Sequence, residues 1–103
     1  MIIITSVNNI PVRLTAERWS HIINRHPELE YQREKVLETL AEPHIVLEGD
    51  FKTLQAAKHY SKTPLTEKYL VVIYKELSDK DGFVLTAYFT NRLSGKRRII
   101  WKP

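Results

Sequence analysis

His21, Arg25 and His26 are the residues of this chain best equipped for chemistry. At positions i and i+4 of a helix, His21 and Arg25 share one flank, and His26 closes the helix beside Arg25. Two imidazoles and a guanidinium can therefore converge at one helix end. An imidazole changes protonation near neutral pH and serves as general acid or base, whereas a guanidinium keeps its charge and grips anionic oxygens through two parallel donors. His26 has a competing role. It falls on the apolar stripe of Trp19, Ile22 and Ile23, where a side chain either caps the helix C-terminus or packs into the core. His21 with Arg25 is the better-placed pair.

A second set lies far along the chain. In the run from Phe83 to Thr90, strict alternation puts Phe83, Leu85, Ala87 and Phe89 on one face and Val84, Thr86, Tyr88 and Thr90 on the other. Helices need an apolar floor, so they should cover the phenylalanine face and leave the hydroxyl-rich face more open. Thr86, Tyr88 and Thr90 there can donate several hydrogen bonds to one ligand. Lys58 and Tyr60 share a face of an earlier strand and are candidate substrate contacts, or else a solvated edge. The other histidines, His44 and His59, sit on different elements without ligand spacing, so a zinc site on His21 and His26 is the weaker competitor. Three glycines, Gly49, Gly82 and Gly95, make no phosphate-cradling loop, which disfavours nucleotide triphosphate chemistry.

The elements that must position these residues follow from local pattern. Ile2 to Val7 and Ile10 to Leu14 read as an N-terminal hairpin broken at Asn8-Asn9. Thr15 is placed as the N-cap of a first helix, Glu17 suits its first turn, and Pro27 stops it. A second helix is expected at about Glu30 to Ala41, ending before Pro43. Beyond it, period-two patterning predicts strands near His44 to Glu48, Phe51 to Tyr60, Lys68 to Leu77 and Phe83 to Thr90, joined as an antiparallel meander.

The bulk properties bound the reading. The 103 residues, with 43% apolar and 27% charged side chains, suit one globular domain with one core, spanning 1–103. There is no cysteine, which excludes disulfides, thiolate metal sites and cysteine nucleophiles and fits a reducing compartment. Met1-Ile2-Ile3-Ile4 is too short for a signal-peptide core, and no apolar run nears the roughly 18 residues of a membrane span. The expected location is the cytoplasm, with no membrane partner. The net charge of +4 is uneven: residues 91–103 carry Arg92, Lys96, Arg97, Arg98 and Lys102 and no acid, leaving the first 90 with a net −1. Such a basic segment suits a phosphate backbone or, more blandly, solubility.

His21-Ile22-Ile23-Asn24-Arg25-His26-Pro27-Glu28 on the first helix, with Lys68 to Ile73 and Gly82 to Thr90 on paired strands, resembles the phage-associated branch of the barnase, EndoU, colicin and RelE nuclease superfamily. The likeness covers about 14–90. It implies an α+β fold, with N-terminal helices packed on a four-stranded antiparallel β-sheet, and metal-independent cleavage of RNA on the sheet surface without a cofactor. It further implies a site formed by a basic residue of the helical part and polar residues of the strands. That places His21, Arg25 and His26 opposite Tyr88 and Thr90 as catalytic residues. His21 or His26 would take the proton of a ribose 2′-hydroxyl attacking phosphorus, while Arg25, with Thr90 or Tyr88, would stabilise the phosphorane. A 2′,3′-cyclic phosphate and a 5′-hydroxyl would result. Lys58, Tyr60, Thr86, Arg92, Lys96, Arg97 and Arg98 are the expected substrate contacts. Partners would be RNA and an acidic antitoxin or immunity protein, the chain being a toxin or phage-related effector, monomeric or homodimeric. The alternative is a non-catalytic RNA-binding or protein-interaction module. Either way, a helix residue reaches the open sheet face only around an edge or an end.

Overall fold

The computed structural model describes residues 1–103. Strands β1 (Ile2–Thr5) and β2 (Pro11–Leu14) form the expected antiparallel hairpin, Ile2 opposite Leu14 and Thr5 opposite Pro11. The reversal between them uses Asn9 at φ 63°, a left-handed conformation that asparagine tolerates better than most residues. Ser6 anchors the turn from outside, its hydroxyl donating to Glu76 Oε2 at 2.6 Å while Asn8 Nδ2 donates to Oε1 at 2.9 Å.

Helix α1 (Ala16–Arg25) begins as expected at Thr15, whose Oγ1 accepts the Arg18 N–H at 3.0 Å. One of the unpaired donors of the first turn is thereby satisfied. The helix ends at His26, whose N–H reaches the Ile22 carbonyl at 2.8 Å. Pro27, preset in φ, then opens a short 3-10 turn, Pro27–Leu29. The second helix is accordingly shorter than expected: α2 spans Arg33–Ala41.

Five further strands follow: β3 (Ile45–Glu48), β4 (Leu54–His59), β5 (Tyr69–Ser78), β6 (Asp81–Thr90) and β7 (Ile99–Trp101). From β3 to β6 they make the expected antiparallel meander. The sheet as a whole is not four-stranded and antiparallel, however, but seven-stranded and mixed, ordered β1-β2-β6-β5-β4-β3-β7. Two additions account for the difference. A lone hairpin cannot bury Val12 and Leu14, so β2 docks in parallel on the edge of β6, Val12 opposite Gly82 and Arg13 opposite Phe83. At the other edge, the basic C-terminal segment supplies β7, which pairs with β3. Gly82 makes the parallel junction possible: a Cβ there would lie 2.8 Å from the Lys75 carbonyl and 3.3 Å from Val12 Cγ2.

The alternation expected for β6 is also corrected. Ile73 of β5 faces Thr86, but the next residue, Tyr74, faces Val84, leaving Leu85 as an extra residue. This bulge shifts the phase of the strand. Val84 joins Ala87 and Phe89 in the core, whereas Phe83 turns away and lies under the Arg13 guanidinium, 5.7 Å from its ring centroid. The core sits between the helices and this sheet face, with Ile22, Leu29, Val36 and Leu40 packed against Val46, Leu70, Val72 and Tyr74.

The opposite face is more covered than alternation suggests. To pass from β6, third in the sheet, to β7, seventh, residues 91–98 run across it as a roof. Leu47, Ala57 and Val71 are buried there, away from the helices. No helix is long and apolar enough to cross a membrane.

Candidate active site

Beyond its short pairing with β2, the edge of β6 is flanked by α1. Arg18 Nη1 donates to the Leu85 carbonyl at 3.5 Å, and farther along the helix the His26 ring lies 6.2 Å from the Tyr88 ring, tilted by 36°. A residue of the helical layer thus reaches a residue of the far sheet face around the β6 edge. The histidine that does so is His26. At the helix C-cap its backbone (φ −130°, ψ 73°) has left the helical path, so its side chain departs from the stripe that a helical count assigns it. Its Nδ1 faces Glu28 Oε1 at 3.6 Å, leaving Nε2 as the free nitrogen.

On the far face, the roof and the sheet enclose a basin of about 260 Å³. Gln55 of β4, Val71 of β5 and Tyr88 and Thr90 of β6 form its floor, and Arg92, Leu93, Ser94 and Arg97 of the roof form its wall. Thr90 holds the roof's first turn: its hydroxyl donates to the Arg92 carbonyl at 3.1 Å and accepts the Arg92 N–H at 3.4 Å. Arg97 is fixed from the other side by a two-pronged pair with Asp50, both bonds at 3.2 Å, and a bond to the Glu48 carbonyl at 3.3 Å.

The electrostatics follow from these contacts. The Arg97 hydrogen bonds, and then its charge, hold the Asp50 carboxyl below the usual carboxylate range. Burial pushes the Tyr88 hydroxyl up, and the Arg97 charge opposes it only in part. Tyr88 therefore stays a protonated donor through neutral pH. Two guanidiniums, a phenol, a threonine hydroxyl and the Gln55 amide line one basin, and the His26 imidazole lies near the phenol from the β6 edge; the set suits an anion with several oxygens and a proton to be moved nearby.

Other sequence-predicted residues lie elsewhere. His21 is exposed and lines clefts on the outer side of α1 with Ser20, Asn24 and Glu30 and with Thr15, Glu17 and Arg18, none of which borders the basin. Arg25, also exposed, shares the flank of Arg18, seven residues earlier. Lys58 Nζ donates to the Glu42 carbonyl at 2.8 Å. The Tyr60 hydroxyl bonds Glu38 Oε1 at 2.6 Å and the Lys35 carbonyl at 3.2 Å, so both residues fasten β4 to α2. Thr86 stands on the far face outside the basin. Lys96 is exposed in a turn closed by the Ser94 hydroxyl, and Arg98 pairs with Glu48 at 3.0 Å. No three His, Asp or Glu side chains group as a metal site. Gln55 and Asp50 went unnoticed in the sequence, and Glu28 figured there only as the end of the His21–Glu28 motif, without a role. Asp50 follows a glycine at an evident turn, but nothing local signals a partner 47 residues away.

No protein-family model matches the chain, and neither curated proteins nor solved structures give a match.

Proposed function

We propose that this basin cleaves RNA by attack of a ribose 2′-hydroxyl on the adjacent phosphorus, without a metal. The observation that carries the reading is the meeting of His26 and Tyr88 around the β6 edge, beside a basin holding Arg92 and Arg97. His26 accepts the 2′-hydroxyl proton as the O2′–P bond forms. Tyr88, protonated, and the two guanidiniums stabilise the negative charge on the phosphorane, where preorganised donors are worth most. The P–O5′ bond then breaks and the 5′-oxygen takes a proton from a water molecule that the His26 imidazolium reprotonates, leaving a 2′,3′-cyclic phosphate, a 5′-hydroxyl and a neutral His26. Arg25, exposed on the same α1 flank as Arg18, adds positive charge on that side of the helix. A toxin of this kind would act on cytoplasmic RNA and be silenced by an acidic antitoxin or immunity protein covering the arginines.

Incubating the protein with single-stranded and structured RNA in excess EDTA is expected to give cyclic-phosphate ends. His26→Ala should slow their appearance by about 10²–10⁴-fold, the usual share of an acid–base group. A loss in His21→Ala with none in His26→Ala would move the base to the outer flank of α1, and activity only with added metal would refute the mechanism. The second reading, an RNA-binding module without cleavage, draws on the pairing of Arg97 with Asp50, which occupies the guanidinium fork. Binding without cyclic-phosphate ends would favour it.

A further inference from the structure

The turn between β3 and β4 departs from what its residue types prefer. Thr53 N–H bonds the Asp50 carbonyl at 3.0 Å, and both residues between them are left-handed, Phe51 at φ 55° and Lys52 at φ 64°. Tight turns of this hand normally use asparagine or glycine, and a bulky side chain in that region is strained. Phe51 gains no packing in return, since it is 91% exposed. Backbone strain of this kind clusters at active sites and ligand clamps.

The surroundings indicate which ligand. Phe51 lines a cleft of about 570 Å³ whose other apolar walls are Leu54 and Ile100 and whose rim carries Lys52 and Arg98. That volume suits one mononucleotide, with an aromatic face for the base and two cations for the phosphate. The cleft opens on the helix side of the sheet, at the end of β3 and β4, and is tied to the proposed catalytic basin on the far face by one ion pair. Asp50, the residue before Phe51, lines the cleft and grips Arg97, which lines the basin. Within the cleft the Asp50 and Glu48 carboxylates are each engaged by an arginine, Arg97 and Arg98, so Lys52 is the cation there without an acidic partner.

We infer that the Phe51 cleft is a second nucleotide subsite, in which a base flanking the scissile phosphate stacks on Phe51 while its phosphate lies between Lys52 and Arg98. The inference rests on the proposed RNA reading. A base presents a π-face whatever its identity, so the subsite adds affinity without strong sequence preference.

The test uses a fluorescently labelled, fully 2′-O-methylated oligonucleotide of eight residues, which cannot be cleaved by 2′-hydroxyl attack, with binding followed by anisotropy. Phe51→Ala should weaken binding about tenfold and Phe51→Trp should restore it. Phe51→Gly should weaken it equally while raising the melting temperature, because glycine relieves the left-handed strain. A purely structural role for Phe51 would instead couple lost affinity to lost stability. Unchanged affinity in both Phe51→Ala and Phe51→Gly overturns the subsite, whatever the cleavage assay shows. Phe51-dependent binding by a protein that yields no cyclic phosphate upholds the subsite and removes the catalytic reading. Absence of binding by the unmodified protein overturns both.

Discussion

Tyr74 shows how a single side chain sets a stability balance apart from the site. It is fully buried on β5 and its hydroxyl has no hydrogen-bond partner, so its desolvation is uncompensated. Tyr74→Phe is expected to raise the unfolding free energy by about 1–2 kcal/mol, measured by urea titration. Burial also pushes ionisation of Tyr74 far above the value of 10.0 it has when exposed, and burial together with Glu38 does the same for Tyr60. Below pH 10.0 folded and unfolded chains both hold these protons, so this contribution to stability is intact. Above it the unfolded chain ionises first, and stability falls as pH rises. Tyr74→Phe should therefore flatten that alkaline decline, which urea midpoints between pH 9 and 11 would reveal. At the same scale, the residue types around the basin were legible: Tyr88 and Thr90 stood out on one strand face, and Arg92 and Arg97 in an acid-free segment. Helical counting keeps His26 on the apolar stripe of α1, whereas its backbone at φ −130° and ψ 73° has left the helical path.

Elements were legible where local chemistry decides them. Thr15, Pro27 and the Asn8-Asn9 reversal marked ends that the backbone respects. What could not be read was the docking of one element on another. The one-residue bulge at Leu85 has no composition signal, yet it exchanges Phe83 for Val84 in the core. The parallel junction of β2 and β6 joins segments far apart in sequence, and only a glycine at 82 hints at a close approach. Gly82→Ala is expected to cost about 1–3 kcal/mol, since the Lys75 carbonyl and Val12 must both give way. The loss should appear as a lower denaturant midpoint, with faster amide exchange in β1 and β2. A midpoint equal to that of the unmodified protein would mean the hairpin contributes little to the cooperative unit.

The molecule as a whole is organised so that its first third depends on its last. Ile22, Leu29, Val36 and Leu40 of the helical part are covered by β3, β5 and β6, and the hairpin has no partner until Gly82 and Phe83 are in place. A fragment of residues 1–60, though it holds both helices, is expected to be largely unstructured alone; strong helical circular dichroism from it would contradict this. The roof over the far face extends the same dependence. Because His26 meets Tyr88, and Arg92 and Arg97 wall the basin, only when β6 and residues 91–98 are in place, a nascent chain carries its imidazole with no basin beside it until both have emerged from the ribosome. On the proposed reading, the catalyst is assembled only at a distance from the RNA that is making it.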